Sequence, residues 1–261
     1  MSEQQWSTGI TKIEPNKVLL RGYPIDQLMG KASFAQAVYL ALVGELPPPN
    51  AERLVEAILV SSIDHGVTPP SCQTARNIAS TGSPLNAAVA GGVLAISRHH
   101  GGAIEDSMIF FIEAVKRKEE AGWDSAKTAE HVVETYRGQQ KRIPGFGHRI
   151  HTRDPRTAKL FQIAGEQGLA GPYVQMALDV QAANEKLSGR NLPINVDGAI
   201  AALLCEMGFD PGLANAFFMM ARVPGLIAHV REEQTRMRPM RQIIAREHVY
   251  DGPPEREWPK K

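Results

Sequence analysis

The chain is poor in cysteine, with only Cys72 and Cys205 in 261 residues. They stand too far apart in sequence for a C-x-x-C pair, and two residues make no disulfide framework, so the sequence reads as that of a protein kept in a reducing cytoplasm. An excess of either charge is also lacking, since 29 Lys and Arg face 28 Asp and Glu. Neither nucleic acid nor a membrane surface is therefore expected as a partner, and any anion must be held locally. No apolar run approaches the roughly 18 residues that a membrane span requires. The N-terminus, M-S-E-Q-Q-W-S-T, has no basic region followed by an apolar core, which argues against a secretory signal. Repeats and low-complexity tracts are absent. Metal-binding motifs are missing too: His99 and His100 are adjacent, adjacent helical positions point apart, and no H-E-x-x-H supplies further ligands, so no metal is expected. What remains is one large domain or two closely packed ones, long enough to bury a core unaided.

What is present is centred on Lys141–Arg156, K-R-I-P-G-F-G-H-R-I-H-T-R-D-P-R. Pro144, Gly145 and Gly147 interrupt any 3.6-residue pattern, and Asp154-Pro155 ends the loop and opens the next helix. Within a few positions it offers amides freed by glycine, the imidazole of His148, and arginines whose planar fork suits a carboxylate or phosphate. That combination fits proton transfer on an anionic substrate. A merely solvated surface loop is the other reading.

Around it the pattern is helical. Residues 9–30 hold one or two short strands, and Ser33 reads as the N-cap of Phe34–Val43. Asn50 is placed to cap the next helix, which is expected to end at Asp64-His65-Gly66, leaving His65 at a helix terminus. Residues 72–97 carry few large side chains, so a helix there can approach another closely, either at a subunit interface or inside the monomer. His100 precedes Gly101-Gly102, where a ligand has room to approach. Helices follow over Glu105–Lys118, Ser125–Arg137, Pro155–Gln167 and Pro172–Leu187. Asp197 opens the apolar helix Ala199–Met207, either as its cap or as a carboxylate whose pKa an apolar setting raises for general-base work. Arg222-Val223-Pro224-Gly225 is expected to break the apolar stretch from Leu213, with Leu226–Arg236 resuming as a helix and an extended tail beyond Arg238-Pro239. The expected architecture is mainly all-α, with two lobes meeting around the loops that carry His65, His100, His148 and Asp197.

These segments resemble the citrate synthase family, in order and along nearly the whole chain. R-G-Y-P-I-D-Q-L with Y-L-A-L-V-G-E-L-P resembles its N-terminal signature; D-H-G, H-H-G-G-A and P-G-F-G-H…D-P-R resemble its three histidine motifs, and N-V-D its aspartate motif. A-R-V-P-G-L-I-A-H and R-P-M-R-Q, with Y-D-G after them, match the remaining arginine segments. The chain lacks the long helical block that citrate synthases carry between the positions of Pro47 and Asp64. In that it is compact, like the citryl-CoA lyase module of ATP-citrate lyase, and Asp197-Gly198 also resembles that module. His100-Gly101-Gly102 is synthase-like, and Ile104 stands where the family often has Asn.

The resemblance implies a two-lobed citrate synthase-like helical fold with a truncated large domain, residues 1–110 and 200–261 forming the large lobe and 111–199 the small CoA-binding lobe. It implies reversible carbon–carbon chemistry between acetyl-CoA and oxaloacetate through citryl-CoA, with coenzyme A as the acyl carrier and no metal. His100, His148 and Asp197 are then the catalytic set. His65, Arg156, Arg222 and Arg238 bind the substrate carboxylates, with Arg153 as the alternative to Arg156. Pro144, Gly145, Phe146 and Gly147 receive the adenine of CoA, and Arg238 reaches across from the partner subunit of a homodimer or dimer-based oligomer. Three activities fit: citryl-CoA lyase, a short citrate or 2-methylcitrate synthase, and a noncatalytic ligand-binding subunit. Together, the three proton-transfer residues argue against the last.

Overall fold

The computed structural model describes residues 6–147, 154–189, 191–242, 244 and 247–259. The N-terminal segment forms a small antiparallel sheet in the order β1-β2-β3, from Thr11–Glu14, Lys17–Leu20 and Tyr23–Pro24, with Thr11 opposite Leu20 and Leu20 opposite Tyr23. Among the described residues, the elements after it are helical: α1 (Ile25–Leu28), α2 (Phe34–Val43), α3 (Pro49–Ser61), α4 (Pro70–Ser80), α5 (Leu85–Leu94), α6 (Ala103–Ala121), α7 (Ser125–Gly138), α8 (Pro155–Glu166), α9 (Pro172–Ser188), α10 (Val196–Glu206), a 3₁₀ turn at Pro211–Leu213, and α11 (Ala214–Arg236). The all-α class is as the sequence predicts.

Two compact units make up the chain. One joins Met1–Ser62 to Gly101–Ala221, the other Ile63–His100 to Arg222–Lys261. These bounds differ from the lobe bounds expected from the sequence.

The first unit is built on α10. Its sequence, V-D-G-A-I-A-A-L-L-C-E, is apolar on every side, and such a helix is stable only inside a core. Every residue from Val196 to Cys205 except Asp197 is buried, and α6, α8 and α9 pack around it. Truncating Leu203 to Ala would cost about 2–5 kcal/mol through the cavity it leaves. Local signals set the flanking helices. Ser33 caps α2 in a capping box with Gln36, and Asp154 caps α8 just before Pro155. α9 has no side-chain cap of its own. Instead Glu206, the last residue of α10, accepts the Tyr173 and Val174 amides at 2.8 and 2.9 Å, tying the end of one helix to the start of another.

The second unit packs α4, α5 and the later part of α11 through small residues. A Cβ on Gly92 would lie 2.9 Å from the Ser71 carbonyl oxygen and 3.0 Å from both Ala75 Cβ and Leu226 Cδ1. Cys72, Ala75, Ala79, Ala88, Leu226 and Val230 form the buried cluster there. Of the two readings of this small-residue stretch, the buried seam within one chain therefore applies to the Ala88 and Gly92 face, while Leu85 and Leu94 on α5 remain exposed.

Four local expectations are corrected. The 72–97 stretch is two helices, because Thr81-Gly82-Ser83-Pro84 turns the chain between α4 and α5, with Gly82 at φ +86°. Asn50 does not cap α3, which starts at Pro49 after Pro48; its amide donates to the Gln167 carbonyl instead. α3 ends at Ser61, so His65 lies in the α3–α4 connection and not at a helix end. Finally, α11 runs through Pro224 without a break. Proline there costs about 3 kcal/mol, yet residues on both sides of it, Phe217, Ala221, Leu226 and Val230, are buried and hold the helix in register. The continuous stretch Pro211–Arg236 is long and apolar enough to cross a membrane by length and composition, contrary to the sequence reading that Arg222 and Pro224 divide it. In this fold 44% of its apolar window is buried inside the protein.

Candidate functional site

In the first unit the Pro144–Gly147 loop lies against the start of α10. Gly145 and Gly147 sit at φ +82° and +87°, a region that disfavours side chains. A Cβ on Gly145 would be 2.7 Å from Gly198 Cα and 2.8 Å from Ser107 Oγ, and one on Gly198 would be 2.4 Å from the Gly145 carbonyl oxygen. The two glycines thus let loop and helix touch backbone to backbone. Asn195 secures the join: its amide donates to the Gly145 carbonyl at 3.0 Å, its Nδ2 donates to the Gly147 carbonyl at 3.0 Å, and its Oδ1 accepts the Gly198 amide at 3.0 Å. The Gly147 amide donates to the Pro193 carbonyl at 2.7 Å, and Phe146 packs edge-on to Phe110 and Phe111.

This arrangement corrects the cap reading of Asp197. The N-cap of α10 is Asn195, so Asp197 is not the cap; it lies in the first helical turn, half-buried, where the helix N-terminus favours a negative charge. Arg156 opens α8, and its fork is already engaged: Nε and Nη2 donate to Asp154 at 3.0 and 2.8 Å, with Asp154 fully enclosed. His148 and Arg153 lie outside the described residues.

In the second unit Arg222 is 1% exposed, a buried cation on α11. Its charge acts on two neighbours. His100, held by a reciprocal backbone pair with Ser97 and by Nε2 at 2.8 Å from Ser71 Oγ, is kept below the ordinary histidine pKa by burial and then by Arg222. Asp64 is raised by burial, but the hydrogen bonds from His229 and the Gly66 amide, with the nearby charges of His229 and Arg222, bring it below the usual carboxylate range. The His65 and His100 rings are 6.2 Å apart between centroids, so the sequence-predicted pair is brought together. Arg238 follows the end of α11 and is exposed.

Three participants escaped the sequence reading. Ser71, behind His100, leaves no signal in a small-residue run. Asn195 is legible as an Asx residue before a helix, but its hold on the 144–147 loop is not. His229 follows Arg222 by seven positions, hence on the same helical face; its Nε2 is 3.1 Å from Asp64 Oδ1. That bond and a contact with the Cys72 thiol lift the imidazole to about 9 against its burial, and Arg76 Nη1 lies 3.4 Å from its Nδ1. In both the imidazolium and the neutral form with hydrogen on Nε2, Asp64 accepts from Nε2. A cavity of about 830 Å³ lies beside this turn, lined among others by Asp64, Gly66, Arg76, His229, Arg236 and Arg241. Its arginines are paired with Glu232, Glu233 and Asp251, and none of His65, His100, Arg222 and Arg238 lines it.

The family described as "Citrate synthase, C-terminal domain" matches residues 46–246, and the chain belongs to the citrate synthase family. Its relatives include a citryl-CoA lyase and a citrate/2-methylcitrate synthase. The citryl-CoA lyase of Hydrogenobacter thermophilus is 45% identical, with 97% of each chain covered and a TM-score of 0.83. The citrate/2-methylcitrate synthase of Bacillus subtilis is 29% identical over 242 residues, 91% of this chain and 61% of that protein. ATP-citrate synthase beta chain protein 1 of Arabidopsis thaliana is 25% identical over 242 residues, 86% of this chain but 37% of the plant protein. The chain thus spans about a third of the length of the ATP-citrate synthases it matches. An ATP citrate lyase from Methanothrix soehngenii, solved with citrate and coenzyme A, shares the fold at a TM-score of 0.77 and 24% identity, over 98% of this chain and 43% of that one.

Proposed function

We propose that the protein is a citryl-CoA lyase, cleaving citryl-CoA to acetyl-CoA and oxaloacetate. The observation that carries this reading is the 45% identity to a citryl-CoA lyase over 97% of both chains. The Gly145–Gly198 contact supports it independently, because it gives a physical reason for glycine directly after Asp197, the lyase-like feature of the sequence.

In the cleavage direction His148 takes the proton of the citryl hydroxyl as that carbon becomes the ketone of oxaloacetate. The carbon–carbon bond breaks, and its electron pair moves into the enolate of acetyl-CoA. His100 meets the enolate oxygen. If Ser71 donates to its Nε2, 2.8 Å away, the neutral ring carries its hydrogen on Nδ1 and can donate from there. Asp197 delivers a proton to the carbon that becomes the methyl group. Arg222, buried and permanently charged, binds a substrate carboxylate, with His65, Arg156 or Arg153, and Arg238 supplying further donors. The Pro144–Gly147 loop takes the CoA adenine against its backbone, as part of a CoA-binding lobe within 111–199. Arg238 reaches the substrate carboxylate from the partner subunit of a homodimer or dimer-based oligomer, and the enzyme acts in the cytoplasm.

A short citrate or 2-methylcitrate synthase is the second reading, favoured by the 29% identity to the Bacillus subtilis synthase over 91% of this chain. The two part on hydrolysis. Purified protein is incubated with citryl-CoA and, separately, with acetyl-CoA plus oxaloacetate, while oxaloacetate and free thiol are followed. A lyase yields oxaloacetate from citryl-CoA and no thiol; thiol release in either arm makes the protein a synthase.

A further inference from the structure

α11 carries Arg222, Gly225 and His229 at positions i, i+3 and i+7, along one face. That face holds the 63–66 turn at two points. A Cβ on Gly225 would lie 2.3 Å from the Ile63 carbonyl oxygen and 3.2 Å from Asp64 Cβ, so backbone rests on backbone there. One turn further along, His229 Nε2 meets Asp64 Oδ1 at 3.1 Å, and the other oxygen of the same carboxylate accepts the Gly66 amide at 2.9 Å. Asp64 therefore spans the exposed His65, fixing the residue before it to the helix and the residue after it to itself. His229 is backed by Arg76, which is tied in turn to Glu233 and Glu232 on α11 at 2.7 and 2.8 Å.

We propose that Asp64 and His229 are positioning residues: their hydrogen bond locks the turn carrying His65 to the face of α11 carrying Arg222, so that both side chains meet an oxygen-rich carboxylate substrate as one preset pair. This rests on the lyase reading through the substrate roles of His65 and Arg222. An exposed turn with glycine at φ +94° would otherwise have to be ordered by the substrate itself, and that ordering is subtracted from affinity. With hydrogen on Nε2, His229 donates to Asp64 in both its charged and its neutral form.

The test is a double-mutant cycle on the full chain with His65→Ala, His229→Ala and both together. It is read by kcat/KM for citryl-CoA and by calorimetric affinity for oxaloacetate, with melting temperature alongside. His229→Ala is expected to lower kcat/KM roughly 10- to 100-fold, chiefly through KM. In the His65→Ala background the same change should cost no more than about twofold, because its effect passes through His65. His229→Gln keeps an N–H donor at similar reach and should recover most of the loss; it also decides the matter if His229→Ala fails to fold. Additive losses, or a folded His229→Gln as poor as His229→Ala, overturn the proposal. A wild type that binds oxaloacetate without cleaving citryl-CoA removes the lyase reading alone, and the cycle is then decided on affinity. A wild type that does neither removes both.

Discussion

The two units hold their own candidate residues in place by opposite means. In the first, backbone does the positioning: Gly145 and Gly198 touch without side chains, and Asn195 joins loop to helix through three hydrogen bonds. In the second, charge does it: buried Arg222 acts on His100 and Asp64, and Asp64 pairs with His229. A backbone contact tolerates almost no added volume, whereas a charge pair tolerates shape change but no loss of a partner. The contrast matches the proposed labour. Proton exchange at carbon needs reacting atoms placed within tenths of an ångström, and carboxylate binding needs fixed positive charge.

The largest effect is expected at His148. If it takes the citryl hydroxyl proton, His148→Ala lowers kcat by about 10²–10⁴-fold and leaves oxaloacetate affinity near wild type. Steady-state kinetics beside calorimetry checks both halves of that statement.

Gly198→Ala tests the backbone contact. The new methyl must displace the Gly145 carbonyl, only 2.4 Å from where it would sit. An overpacking cost of about 1–3 kcal/mol is expected in stability, with a loss of about 10²-fold in kcat/KM from the shifted loop. Gly165→Ala on α8 is the control. Nothing lies within 4 Å of its Cβ, so it should be neutral or stabilise the helix by about 0.5–1 kcal/mol. Equal effects from both glycines would mean that the contact matters only as helix propensity.

A smaller effect is expected from pH. His100 titrates below its ordinary 6.5, so its neutral form and the associated stability are fully present above 6.5 and are lost as pH falls through the lower folded value. The acid limb of kcat/KM attributable to His100 should therefore lie below 6.5. Arg222→Ala should move that limb upward by removing the charge that helps depress it.

Much of the fold was legible because it is written locally. Ser33 and Asp154-Pro155 mark helix starts that the structure reproduces, whereas α10, read as opening at Asp197, starts at Val196 with Asn195 as its cap. Legibility failed where tertiary packing overrides a local signal: α11 continues through Pro224 because both of its sides are buried, and Asn50 is diverted to Gln167 because Pro48-Pro49 already opens α3. The site follows the same rule. His65, His100, Asp197 and Arg222 announce themselves by type and neighbours, whereas Ser71, Asn195 and His229 acquire their contacts only through folding, across 29, 48 and 165 positions of sequence.

The division of labour between the two units is tested most directly by one paired measurement: oxaloacetate affinity by calorimetry and single-turnover cleavage of citryl-CoA, on Asp197→Asn and Arg222→Ala. Asp197→Asn should bind oxaloacetate as wild type does, keep the Asn195 cap and lose no more than about 1 kcal/mol of stability with the first-turn charge, and turn over about 10²–10⁴-fold more slowly. Arg222→Ala should lose affinity more than rate, and Arg222→Lys should restore little, since a point charge cannot reproduce the planar fork. An Asp197→Asn variant that cleaves citryl-CoA within a few-fold of wild type, beside an Arg222→Ala variant that binds oxaloacetate normally but does not turn over, would contradict the account.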